Sequence, residues 1–204
     1  MTSSGEIGTT AACCHCGERI ILVNLAFGPT WRHQKSGEAF MDGMHLFCHT
    51  TAAAPESLTR VDQTILAGDP KRKGNCVAAC VASILGLPLD RVPHFIEFGI
   101  HFGDSEDVKE VSHGSNWWAM MLGFLAGRGL WVVELDKVTD ADPDEFVLVA
   151  GMSTRGVMHQ VVYREGRLWH DPHPSRTGVL DVREVLAVRA LPGFDHEPTR
   201  GAAS

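Results

Sequence analysis

The sequence predicts an α+β protein. Three observations carry that expectation: a cysteine-bearing helix with both ends marked at residues 75–86, a run of strand-like segments after residue 130, and a cysteine- and histidine-rich stretch ahead of both. The chain has 204 residues, enough for a substantial core, with six cysteines and a net charge of −7. That charge argues against a nucleic-acid partner, because neutralising phosphates takes clustered Lys and Arg. No apolar run approaches membrane length, and no cationic segment followed by an apolar one opens the chain. The expectation is a cytoplasmic protein with no membrane partner, whose cysteines serve metal ligation or catalysis rather than disulfides.

Residues 1–12 are small and polar and are expected to be disordered. Residues 13–50 read as a zinc-ribbon-like module. Cys13 and Cys16 form a C-x-x-C knuckle followed by Gly17, the shape in which two thiolates turn toward one zinc ion. His33 and Cys48 complete the expected Cys3His set, with His45 the rival to His33; Cys14, His15 and His49 are out of register. Four protein ligands leave no open position, so the zinc is expected to be structural. A piece of about 45 residues also builds too little core to stand unaided. Ile20–Val23 within it reads as a strand, and residues 51–57 read as a linker.

Residues 58–192 read as a second domain, with a loose tail over 193–204. Its centre is the helix from Cys76, with Asn75 as N-cap and Gly86 and Pro88 as stop signals. Cys76 falls on the first turn, where free amides and the positive end of the helix dipole favour a thiolate; Lys71, Arg72 and Lys73 add charge upstream. These features predict a thiol that ionises below the free-cysteine range. Cys80, one turn on, reads as a packing residue. Gln63 lies 13 residues before Cys76, a loop length that lets its side-chain amide fold back as an oxyanion donor; an ordinary surface glutamine is the alternative. A short helix with Asp90 as N-cap follows, then an acidic loop over 101–114 containing His113, then an amphipathic helix over 116–129 whose Trp and Met residues read as core.

The strands are expected at 131–135, 146–151 and 158–163, the last entering a hairpin with 167–171. Phe146–Gly151 is nearly all apolar and reads as central. A three-residue loop, Arg164-Glu165-Gly166, with glycine in a left-handed bulge position pairs Tyr163 with Arg167 and sets His159 directly opposite Asp171. A two-residue loop would put Asp171 opposite Gln160, on the other face. A cysteine at a helix start, a histidine on a later strand and an acid on its neighbour form a nucleophile, a base and an orienting group.

Residues 74–86, 156–162 and 170–172 resemble the papain-like cysteine peptidases, closest to the bacteriocin leader-peptidase branch and related phage-borne proteins. The resemblance implies a papain-like fold, with Cys76 as nucleophile, His159 as base, Asp171 as orienter and Gln63 in the oxyanion hole of a hydrolase acting on a peptide or protein amide. It covers roughly Leu58 to Leu191 and does not include the zinc module. Asp171 follows the leader-peptidase variant, since papain has asparagine there, and Gln63 lies further from the cysteine than in most relatives. Two other readings stand beside it: a zinc metallohydrolase built on His159, His170, Asp171 and His173, and a catalytically silent papain-fold binding module.

Overall fold

The computed structural model of the chain describes residues 6–13, 17–25, 28–34, 44–45, 47–48, 51–52, 59–67, 73–97 and 116–191, with the backbone alone at 34, 44–45, 47–48, 51–52 and 116. The fold is α+β. Among the described residues the strands form three antiparallel sheets. In the first, β1 (Thr10–Ala12), β2 (Arg19–Leu25), β3 (Gly28–Gln34) and β4 (Met44–His45) lie in chain order. Strands β5 (Phe47–Cys48) and β6 (Thr51–Ala52) form a small hairpin. Helices α1 (Cys76–Leu85) and α2 (Asn116–Ala126) follow. The third sheet contains β7 (Leu130–Glu134), β8 (Val147–Met152), β9 (Met158–Arg164), β10 (Arg167–His170) and β11 (Asp181–Ala190), in the spatial order β10-β9-β8-β11-β7. No single helix among the described residues is long and apolar enough to cross a membrane.

All ten residues of α1 are buried, which accounts for its run of alanine, valine, isoleucine and leucine. Its one hydroxyl is satisfied inside the fold: Ser83 Oγ donates to Ala79 O and accepts the Val61 N–H at 2.8 Å. The helix stops where glycine permits a left-handed turn, at Gly86 with φ 61°, and Leu87 N–H closes on Ala82 O. Asn75 precedes the helix as expected, yet its side chain makes no cap bond. The segment predicted as a second helix opens as a 3-10 turn, Leu89–Arg91, entered from Pro88 with Asp90 inside it, and is helical at residues 95–97.

One contiguous core joins the first sheet to the rest. Ile20, Leu22 and Trp31 pack in the same cluster as α1, α2 and the Leu148, Val162 and Leu186 face of the five-stranded sheet. Trp31 Nε1–H donates to Gly86 O at 3.2 Å. The N-terminal sheet therefore draws its core from its neighbour, and the need for a metal to staple an isolated module no longer follows from its size. Thr10–Ala12, in the segment expected to be disordered, pairs with Arg19–Ile21. The opposite face of the five-stranded sheet carries Val147, Val149, Val161 and Val185. Both faces are covered, and this makes β8 a continuous apolar run. Strand β11, between β8 and β7, was not anticipated; its opening Asp181-Val182-Arg183-Glu184 reads as surface, and burial begins only at Val185.

The β9–β10 hairpin differs from the expected one in two ways that offset each other. Its loop has two residues, Glu165 (φ 53°) and Gly166 (φ 68°), as in a type I′ turn, and Arg164 pairs with Arg167. Unbroken, that register would have sent Asp171 to the wrong face. A bulge at Trp169 restores it: Leu168 pairs with Tyr163 and His170 with Val162. One extra residue inverts the side-chain parity, so Asp171 emerges on the face of Val161 and His159.

Beside His159, on the partner strand, stands Gly151. A Cβ there would overlap the Asp181 carbonyl oxygen and reach 3.1 Å from Val182 Cα, at the point where the β8–β11 register shifts. Gly151→Ala is expected to cost about 1–3 kcal/mol in urea denaturation, because backbone rather than a flexible side chain must yield. A variant as stable as the parent would contradict this close approach.

Candidate active site

Cys76 is held at the start of α1 by a folded-back loop. Asn75 Oδ1 accepts the N–H groups of Thr64 and Ile65 at 3.1 and 3.0 Å, its Nδ2 donates to Thr64 Oγ1, and its own N–H donates to Ile65 O. The asparagine clasps residues 64–65 to the helix instead of capping it. Gln63 rides on this loop. It is buried, its Nε2 donates to the same Ile65 oxygen at 3.1 Å, and its N–H donates to Pro172 O at 3.0 Å. Gln63 thus links Pro172, the residue after Asp171, to Ile65, which Asn75 holds ahead of Cys76, and the surface alternative does not hold.

On the other side, α1 docks on the backbone of one residue of β9. Cys80 Sγ–H donates to Gln160 O at 3.3 Å, and the Gln160 N–H reaches the Cys76 sulfur. Strand β10 pairs no further than His170 with Val162, so the Gln160 edge is open to the helix. The two cysteines, one turn apart, thereby occupy the place of an adjoining strand. This sets the Cys76 sulfur against the residue that follows His159.

His159 Nε2–H donates to Asp171 Oδ1 at 2.7 Å, with both side chains almost wholly buried. Asp171 also accepts the His173 N–H on Oδ1 and the Gly178 N–H on Oδ2, each at 2.8 Å, while Arg176 holds its carbonyl. Burial alone would raise the carboxyl; these donors outweigh it and keep Asp171 below its usual range. The carboxylate is therefore acceptor-only, His159 keeps its proton on Nε2, and Nδ1 is the basic nitrogen. Burial lowers the His159 pKa more than Asp171 raises it, and Arg155 lowers it further.

The thiol departs from expectation. Burial pushes Cys76 up, and the amides of Gln160, Val77 and Cys76 together with the charge of Arg155 only partly offset it. Desolvation exceeds the helix-end effect here. Cys80 is pushed well above the thiol range by burial, then by Cys76 and Asp171. His170 is directed elsewhere: its Nε2 lies 2.8 Å from Val61 O, and Asp62 is nearby. His159, His170, Asp171 and His173 do not gather as a metal-ligand group, and no such group occurs among the described residues.

Of the zinc candidates, Cys13 and His33 are buried, and His33 and His45 are register partners on β3 and β4. Cys16 and the Cys48 side chain lie outside the described residues, as do Lys71, Arg72, residues 98–115 with His113, residues 53–58 of the linker region and residues 192–204. The sequence did not single out Asn75 as the loop clasp, Gln160 as the docking point, or Arg155. Gln160 acts through its backbone, which leaves no side-chain signature. Compared with family models, curated proteins and solved structures, the chain matches none.

His159, His170 and His173 are all lowered, with burial the leading cause in each. Below about pH 6.5, the ordinary histidine value, the unfolded chain takes up protons that the folded chain refuses. Stability is full above that value and falls as the pH drops through it, with Asp171 adding loss below the carboxylate range. The melting temperature is therefore expected to decrease from pH 7.5 to 5.5. A flat or rising profile would contradict the buried neutral histidines.

Proposed function

We propose that the chain is a cysteine-dependent hydrolase of papain-like arrangement, cleaving an amide bond of a peptide or protein substrate through Cys76, His159 and Asp171. The observation that carries this reading is the buried 2.7 Å His159–Asp171 pair on a strand whose next residue, Gln160, gives its N–H to a cysteine at a helix start. A structural pair needs no such cysteine next to it. In the proposed reaction, His159 Nδ1 takes the Cys76 proton as sulfur attacks the substrate carbonyl, then returns it to the leaving amine. Water hydrolyses the resulting thioester by the same route. With the thiol raised and the imidazole lowered, the resting pair is neutral, and the thiolate arises during attack. One Gln63 Nε2 hydrogen is engaged by Ile65 O; the other, with the Cys76 N–H, is assigned to the oxyanion.

Cys76→Ala is expected to abolish hydrolysis with an unchanged circular-dichroism spectrum. Asp171→Ala is expected to lose ~100-fold or more, because nothing then fixes the imidazole. Asp171→Asn, whose side-chain oxygen still accepts Nε2–H, should lose less. Turnover by the Cys76→Ala variant, on a peptide library read by mass spectrometry, would contradict the proposal.

A structural zinc on the first sheet is its second part, held by Cys13, Cys16, His33 and Cys48. The knuckle fits: Gly17, with φ 74°, returns its N–H to Cys13 O at 2.8 Å, and Cys13 and His33 are both buried. Elemental analysis of reduced protein is expected to find one zinc per chain, lost in Cys13→Ser. Zero metal in the parent chain would contradict this part alone.

A further inference from the structure

The turn between β8 and β9 carries Arg155. Ser153 to Gly156 form a tight loop: Gly156 N–H closes on Ser153 O, Arg155 N–H donates to Ser153 Oγ, and Ser153 N–H donates to Val157 O. The loop presents Arg155 to solvent, three residues before the first residue after it in strand β9 and four before His159. Its guanidinium is tethered, since Arg155 Nη1–H donates to Ser175 Oγ at 3.0 Å. Ser175 in turn binds His173 Nδ1 through both Oγ, at 2.8 Å, and its backbone N–H, at 3.0 Å. A backbone N–H can only donate, so neutral His173 carries its proton on Nε2 and the chain runs one way, from Arg155 through Ser175 to His173. The His173 ring stands edge-on to His159, with centroids 6.0 Å apart. Arg155 thus sits at the rim of the Cys76–His159 centre, and its charge is felt at Cys76, His159 and His173. No carboxylate pairs with it among the described residues, whereas the neighbouring Arg176 is neutralised by Asp62 at 2.7 Å. The Nε–H and Nη2–H edge remains, the side of a guanidinium that grips a carboxylate with two parallel bonds.

We propose that Arg155 forms an anion-binding subsite at the rim of the Cys76 site, selecting substrates that carry a carboxylate next to the scissile amide. This rests on the hydrolase reading for the word substrate, but the subsite itself is testable without turnover. The probes are iodoacetate, which carries a carboxylate, and iodoacetamide, which does not. Alkylation of Cys76 is followed by peptide mapping, and the iodoacetate-to-iodoacetamide rate ratio in the folded chain is divided by that of the urea-unfolded chain. The quotient is expected to be about 10 or more at low salt. Arg155→Gln should return it to about one, and Arg155→Lys should keep part of it. A quotient that does not depend on residue 155 would overturn the subsite, whether or not the protein cleaves peptides. Two peptide pairs then distinguish the source of the carboxylate: a glutamate peptide against its glutamine counterpart, and a free C-terminal acid against its amide. Preference for the acid in either pair, lost in Arg155→Gln, supports the subsite; equal rates in both pairs would overturn it while leaving Cys76-dependent hydrolysis standing. Arg155-dependent alkylation with no cleavage of any peptide would support the subsite and contradict the hydrolase reading.

Discussion

The architecture of the site depends on how α1 meets β9. A helix cannot join a sheet by a ladder of backbone bonds, yet Cys76 and Cys80 meet the N–H and C=O of Gln160 where β10 has turned away. This contact sets the helix start in line with the strand that bears His159. It also explains why α1 tolerates two cysteines but no charge: both thiols lie inside the core, and either as a stable thiolate would be costly there. The same burial that makes the joint tight works against a resting thiolate, and in the proposed reaction activation therefore falls to the histidine rather than to the helix end.

A second constraint is parity. His159 and Asp171 meet only if β9 and β10 present them on one face, and a hairpin with a two-residue turn would fail to do so. The bulge at Trp169 corrects this, with the indole packed edge-on against Phe146, at 5.1 Å between centroids, and under Arg60. Beyond the bulge, Asp171 leaves the strand and collects three N–H donors that hold its carboxylate. The donors that hold the Asp171 carboxylate and the fixed orientation of the His159 ring are thus consequences of one irregularity in the sheet.

Helix α1 was legible because its ends are marked by local chemistry, a left-handed glycine with a proline beyond it, and its interior is uninterrupted apolar sequence. The proximity of His159 and Asp171 was also legible, but through an incorrect register: the loop was read as one residue longer than it is, and the bulge was not foreseen. The two departures cancel in parity, which is why the pair survives. Bulges of this kind are set by packing of a large side chain across the sheet and carry no local signal. Asn75 illustrates another limit, since its preference for a helix start is real while its side chain serves a loop eleven residues back. Strand β11 was hidden by charge at its exposed end, and the core that the first sheet shares with α1 and the five-stranded sheet depends on Trp31 and Ile20 meeting residues far along the chain.

The central claim is that Cys76 and His159 form one proton-transfer unit. Its most direct test is the pH dependence of Cys76 alkylation by iodoacetamide, in the parent chain and in His159→Gln. If the two groups are coupled, the parent reacts through a low-pH shoulder, from the minor thiolate–imidazolium form, ahead of the main thiol titration. The account predicts that this shoulder disappears in His159→Gln, leaving a single step above the ordinary thiol range. Superimposable profiles in the two proteins would contradict it.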